Sequence, residues 1–219
     1  MTQAIKQAQP RQGCVIMASG LGRRFGGNKL MAELEGIPLV QHAIQATEGL
    51  FDQRVLVTRQ AEVAQLCQAW SLPVVLHDKP KRNDTVRLGM TALEGCLGTA
   101  TLEGCDTITF VQGDQPLISA RTIALLLRQA EQEPDAIWRV RSEGTPGTPV
   151  TFPAWTFNEL RSLPSGAGGG FIIKAHPEQV RYVEAESPWE LFDVDTQNDL
   201  AILKEHLRAR GDASRRMPR

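Results

Sequence analysis

Apolar residues along this chain recur in two rhythms, and the way the rhythms alternate gives the first view of the fold. Short apolar runs at 14–18, 54–58, 73–76, 107–111, 136–140 and 181–184 have the length of strands. Between them the spacing turns helical. One helix is predicted from Pro38 to about Glu48, with Leu39, Ala43, Ile44 and Ala46 on its apolar side, and a second over 61–70. A third follows Asp84 or Thr85 as cap and runs to about Leu97. A fourth follows Ser119, with Ile123, Leu126, Leu127 and Ala130 on one face. Residues 33–38 read as a tight turn, and 191–200 as a strand ending in a capped helix. The order strand, helix, strand, helix, strand at the start implies a parallel sheet with right-handed crossovers.

Size agrees with a single α/β domain: 219 residues can bury one full core. The chain divides into an N-terminal tail (1–12), a domain (13–207) and a basic C-terminal tail (208–219), the last read as disordered. With 42% hydrophobic and 22% charged residues, and no apolar run near the length of a membrane span, the composition is that of a soluble protein. Residues 1–12 are polar, without the apolar stretch of a secretory signal, so a cytoplasmic location is expected. A formal net charge of −1 argues against nucleic acid as the main partner. Cys14, Cys67, Cys96 and Cys105 form no Cys-x-x-Cys pair and read as reduced, small apolar residues. The four histidines are scattered, which argues against a zinc site.

Chemistry concentrates after the first strand. Gly20, Gly22, Gly26 and Gly27 are interleaved with Arg23, Arg24 and Lys29, a composition that cradles a polyphosphate: glycines bring N–H groups close to an anion and the cations neutralise it. A Walker A loop is excluded because Leu30, not a hydroxyl residue, follows Lys29. A dinucleotide fingerprint fails because Phe25 stands where the third glycine belongs and the second strand ends in Thr58-Arg59, not an acid. At the end of the fourth strand, Gly113-Asp114-Gln115-Pro116 turns an aspartate towards the edge where open α/β sheets bind ligands. Such a carboxylate suits Mg²⁺ shared with a triphosphate.

The pattern Ser19-Gly20-Leu21-Gly22-Arg23-Arg24-Phe25-Gly26, followed by Lys29-Leu30 and later by Gly113-Asp114-Gln115-Pro116-Leu117, resembles the molybdenum cofactor cytidylyltransferases. These belong to the MobA-like NTP transferase superfamily, and members associated with molybdenum hydroxylase maturation are the most similar in pattern. The resemblance implies a Rossmann-like three-layer α/β/α sandwich and transfer of CMP from CTP to molybdopterin, with Mg²⁺ as cofactor and a molybdenum hydroxylase as recipient. It assigns Arg24, Lys29 and Asp114 to catalysis and Asp114 with Asp195 to the metal. Nucleotide contacts fall to Ala18, Ser19, Gly20, Leu21, Gly22, Arg23, Arg24, Lys29, Thr85, Arg87 and Gly113. Acceptor contacts fall to Gln115, Gly147, Thr148, Gly168, Gly169 and Gly170.

Three departures leave alternatives open. Residues 144–152 resemble the family's substrate loop but carry Thr148 where the family has a histidine, and the run 165–170 lacks the family's aspartate and arginine, which keeps a sugar or polyol phosphate acceptor in play. Ser19 matches neither the alanine of the cytidylyltransferases nor the glycine of the guanylyltransferases, so CTP is favoured over GTP without excluding it. A non-catalytic maturation chaperone is the third reading, and the presence of Lys29 and Asp114 counts against it. Asp193 alternates to the other face of the predicted strand and is the weaker metal candidate.

Overall fold

A computed structural model describes residues 11–97, 102 and 105–216. The first strand, β1 (Gln12–Ala18), begins at Gln12, inside the predicted tail, whose first ten residues lie outside the described ones. A small hairpin follows, β2 (Glu33–Leu34) and β3 (Ile37–Pro38), joined by Glu35 and Gly36 at φ 52° and 78°. Two left-handed residues in succession form the turn whose twist matches paired strands. The chain continues through α1 (Leu39–Ala46), β4 (Gln53–Thr58), α2 (Ala61–Ala69), β5 (Val74–Leu76) and α3 (Arg82–Leu97). Then come β6 (Thr107–Gln112), α4 (Ala120–Gln132), β7 (Ile137–Ser142), β8 (Thr145–Pro153), α5 (Phe157–Arg161), α6 (Gly170–Ala175), β9 (Val180–Glu184) and α7 (Gln197–Arg216).

Seven strands form one sheet in the order β5-β4-β1-β6-β8-β7-β9. All run parallel except β8, which is antiparallel to both neighbours. Strand order reverses between β1 and β6: the chain leaves β1 towards β4 and β5, then returns to the other side. At such a switch point the loops leaving two neighbouring strands diverge and open a crevice at their carboxyl ends.

Alternation within β1 sorts its side chains between two cores. Val15 joins Val55, Val57, Ile108, Phe110 and Phe152 under α3, α5 and α6. Cys14, Ile16 and Ala18 join Leu56 and Val111 under α1 and α2. Each fully buried Ile or Leu in these layers contributes about 1.5–3 kcal/mol by leaving water. Helix α3 approaches β1 so closely that a Cβ on Gly89 would fall 2.5 Å from Val15 Cγ1, so this glycine is a packing requirement. Ser119 caps α4 by accepting from the Thr122 N–H at 3.0 Å, a bond whose loss costs about 1 kcal/mol. Ile123, Leu126, Leu127 and Ala130 are buried, as their spacing predicts.

Four expectations need correction. Helix α3 starts at Arg82, so Asp84 lies in its first turn, paired with Arg87, and neither Asp84 nor Thr85 is the cap. The run 144–152, read as a substrate loop, is mostly strand β8, because Val150, Thr151 and Phe152 pair with β6 and Thr145, Pro146, Val150 and Thr151 with β7. No strand leads directly into Asp195; 192–195 has no regular secondary structure and is held at Val194 by a backbone bond to Asp114. Helix α7 runs through the boundary at 207 to Arg216, as no proline interrupts it before Pro218. Among the described residues no helix is long and apolar enough to cross a membrane, and the four cysteines are free.

Candidate active site

Two clefts open along the carboxyl edge of the sheet and share a wall. The first, about 340 Å³, is lined by the end of β1, Lys29, Arg59, residues 79–82, Thr85 and Asp114. The second, about 640 Å³, is lined by Arg24, Phe110, Arg139, Thr148, Phe152, residues 166–171, Lys174 and Asp193. Met17, Arg82, Gln112, Asp114 and Asp195 line both. A third depression follows the loop itself, from Ser19 to Arg24, and includes Lys29 and Arg59.

The loop owes its shape to glycine. Gly22 has φ +60°, and a Cβ there would lie 2.3 Å from the Gly27 carbonyl oxygen. Its own carbonyl accepts from the N–H groups of Phe25 and Gly26, closing a tight turn, while buried Phe25 packs with Leu34, Leu39 and Leu203. That anchor carries Lys29 inward. The Lys29 side chain, 6% exposed, donates to Asp114 Oδ2 at 2.6 Å and to Asp195 Oδ1 at 2.8 Å. Burial by itself would lower its pKa, but the two carboxylates outweigh burial and hold the ammonium above its ordinary value. Asp195 is depressed chiefly by the hydrogen bond from Lys29, against partial desolvation and with help from Arg24, which donates to Oδ2 at 2.7 Å.

Local hydrogen bonds explain how two aspartates so distant in sequence meet. Gly113 donates to the Met17 carbonyl, and Asp114 accepts from Val194 N–H, tying the ends of β1 and β6 to 192–195. Beyond Asp195, Asp199 Oδ2 accepts from the N–H groups of Asp195 and Thr196, and Thr196 Oγ1 accepts from Asp199 N–H. This is a reciprocal cap of α7. Capping and siting are therefore one device: the cap fixes the backbone of Asp195 and leaves its carboxylate to face Lys29. Asp193 also lies at the second cleft; desolvation, then the charge of Asp114, pushes it up to about 6, against a hydrogen bond from Gln115.

The other anticipated residues separate into those at the clefts and those behind them. Ala18, Ser19, Gly20, Leu21, Gly22, Arg23, Arg24 and Thr85 line the first cleft or the loop depression. Thr148, Gly168, Gly169 and Gly170 line the second. Gln115 stands behind it, buried, accepting from Thr148 Oγ1 at 2.7 Å. Gly147 packs on Leu191 and its carbonyl accepts two bonds from Arg139. Gly113 is buried under Met17 and Val40. Arg87 is a correction: one turn past the start of α3, it faces solvent on Asp84 and lines none of the three depressions.

Arg59, Lys79, Lys81 and Arg82 line the first cleft and are absent from the sequence-derived set. They follow β4 and β5. Applying the carboxyl-edge rule to every strand, not only to β1 and β6, finds them. His77 is fixed at the same edge. Its Nδ1 accepts from Lys79 N–H at 3.1 Å, so Nε2 carries the proton and donates to Ser19 Oγ at 2.9 Å, and Ser19 in turn donates to the Val57 carbonyl. Burial first, then the Arg59 charge, lowers the His77 pKa and keeps it neutral.

Comparison with known proteins bears on this arrangement. The model of the MobA-like NTP transferase domain matches residues 14–180. A probable molybdenum cofactor guanylyltransferase of Bacillus licheniformis is 28% identical over 196 residues, covering 85% of this chain and 93% of that protein. One of Thermococcus sibiricus with the same description is 25% identical over 217 residues, covering 87% and 96%. The crystal structure of Rv0371c from Mycobacterium tuberculosis superposes with a TM-score of 0.73 at 20% identity, covering 90% of this chain and all of that one, a likeness of fold.

Proposed function

The chain belongs to the MobA-like NTP transferase family, and from that premise we propose that it transfers CMP from CTP to the phosphate of a molybdopterin-type acceptor, releasing pyrophosphate. The observation that carries this reading is the meeting of Lys29, Asp114 and Asp195 at the wall shared by two clefts. One cleft takes the nucleotide and the other the acceptor, so the reacting phosphates meet beside these side chains. The glycine loop offers backbone N–H groups to the triphosphate, with Arg23, Arg24 and Arg59 around it.

Two carboxylates facing each other across one ammonium are a donor set that suits Mg²⁺, which takes one or two carboxylates and completes its shell with phosphate oxygens and water. Among the described residues no three His, Cys, Asp or Glu side chains gather for a metal, in keeping with an ion that arrives with its nucleotide. Asp114 and Asp195 would hold it, and the bound ion would neutralise phosphate charge. Lys29, released from the carboxylates, would stay in reach of the triphosphate as a compact point charge. Arg24, already at the same edge, would steady the phosphates from the acceptor side. Catalysis then comes from positioning and charge neutralisation.

Support for cytosine comes from Ser19, which stands where the resembling guanylyltransferases carry glycine; its hydroxyl is held between His77 Nε2 and the Val57 carbonyl. A second reading, GTP, is favoured by the two relatives that span the chain, both described as guanylyltransferases. Pyrophosphate release with molybdopterin and Mg²⁺, compared between CTP and GTP, separates the two. Preference for GTP overturns the cytidylyl reading alone, and no release with either nucleotide overturns transfer to this acceptor.

A further inference from the structure

We propose that Arg82 is a catalytic residue of this transfer, the cation that takes up charge on the α-phosphoryl group as it passes from nucleotide to acceptor. The inference rests on the nucleotidyl-transfer reading and adds to it a residue that the family resemblance leaves without a role. Its starting point is the wall between the clefts. The α-phosphorus is the atom donor and acceptor share, so the reaction takes place where both clefts have access. Five residues line both: Met17, Arg82, Gln112, Asp114 and Asp195. Among these Arg82 is the one cation.

The two cations that reach the carboxylates of this wall are already engaged. Lys29 holds both carboxylates, and Arg24 holds Asp195. Among the described residues Arg82 makes no ion pair, yet its stem is fixed. It lies across the bare backbone of Gly168, where a Cβ would fall 2.6 Å from Arg82 Cδ. Its chain neighbours fasten the same two segments together: Lys81 Nζ donates to Ser165 Oγ at 2.6 Å, and Asn83 Oδ1 accepts from Gly166 N–H at 2.8 Å. The start of α3, on the first cleft, and residues 165–168, on the second, thus form one wall with the guanidinium free upon it.

The chemistry requires such a group. An acceptor phosphate oxygen forms a bond to the α-phosphorus while the bond from that phosphorus to the bridging oxygen breaks, and pyrophosphate leaves with the electron pair. A dianionic acceptor phosphate needs no proton removed. Two anions must approach, and charge collects on the oxygens around the α-phosphorus. A planar guanidinium with parallel N–H donors can bond one oxygen from each substrate, which a single ammonium matches poorly.

The test uses the full chain with CTP, Mg²⁺ and molybdopterin, with folding checked by circular dichroism. Arg82→Gln should lower kcat by about 10²-fold, the scale of losing one preorganised donor to transition-state charge, while calorimetric affinity for CTP with Mg²⁺ changes little. Arg82→Lys should recover part of the rate. Gly168→Ala moves the Arg82 stem without changing any charge and should cost about tenfold, and in the double variant it should add nothing to Arg82→Gln, as expected for one coupled unit. A folded Arg82→Gln protein with undiminished kcat overturns the proposal, and so do losses that multiply in the double variant. If Arg82→Gln fails to fold, Arg82→Lys and Gly168→Ala at unaltered kcat overturn it instead. No turnover by the unaltered chain with CTP, nor with GTP in its place, removes the reading of transfer to this acceptor and this inference together, an outcome distinct from the others.

Discussion

Two glycine-rich runs border the site, and they use glycine for different reasons. In the first, residues 20–27, the need is conformational: Gly22 and Gly26 sit at φ +60° and +82°, and Gly22 backs onto the Gly27 carbonyl. In the second, residues 166–170, Gly166 has φ +81°, but Gly168 and Gly169 are bare because Arg82 and the Phe152 ring lie upon them. The first run makes its own shape and carries its own cations. The second is a surface that distant side chains complete. A loop of the first kind announces its chemistry in sequence; one of the second kind looks like a linker until its visitors are known.

The comparison breaks most sharply at Lys29, the cation that follows the first run. Lys29→Ala should reduce turnover by about 10²-fold or more, equivalent to ~2.7 kcal/mol of transition-state stabilisation. Steady-state pyrophosphate release checks this, and unchanged turnover in a folded variant removes Lys29 from the mechanism.

Next comes the contrast between the runs themselves. Gly22→Ala imposes a left-handed conformation and a backbone clash on a side chain and should cost about 1–3 kcal/mol of stability. Gly170 opens α6 with nothing near its Cβ position, so Gly170→Ala should stabilise by about 0.4–1 kcal/mol through the unfolded chain. Urea denaturation of the two variants decides. Equal losses would mean that the runs are alike after all.

A smaller effect separates the two aspartates. Asp114→Asn should weaken binding of CTP with Mg²⁺ by about tenfold, ~1.4 kcal/mol, with little change for CTP in EDTA. Asp195→Asn should do the same to a lesser degree, being more exposed at 37% against 21%. Calorimetric titration with and without Mg²⁺ reads both, and a loss independent of Mg²⁺ would make the aspartates anchors for Lys29 alone.

The smallest effect lies at His77. His77 has a lowered pKa, so the unfolded chain binds the proton more tightly, and the stability it contributes is present above the unfolded value near 6.5 and is lost as pH falls below it. Arg59 and Lys79 oppose its protonation, while Asp78 and Asp84 favour it. The melting temperature should therefore drop more between pH 7.5 and 5.5 for the unaltered protein than for His77→Gln. Parallel profiles would show that His77 does not titrate in this window.

How much was legible follows the same division. Strand and helix periodicity located most of the sheet, since each run buries a face that local pattern records, and α4 lies where its cap and apolar stripe place it. Residues 144–152 misled because their Gly and Pro content reads as loop, whereas pairing to β6 and β7 overrides local preference. Arg87 misled for a related reason: the helix begins at Arg82, so the arginine that meets the clefts is the one at its start.

The sequence by itself determined the first glycine loop, because turn, glycines and cations lie within a dozen residues and their geometry is local. It also placed Asp114 at a strand end, where the edge rule applies without knowledge of other elements. The family resemblance paired Asp195 with it, but only the tertiary structure decided how the two meet, since that depends on the bond from Val194 to Asp114 and on the α7 cap that fixes the backbone of Asp195. It likewise decided what the second glycine run is for. The side chains that need its bare backbone, Arg82 and Phe152, come from α3 and β8, and a contact between remote segments leaves no pattern in either one alone.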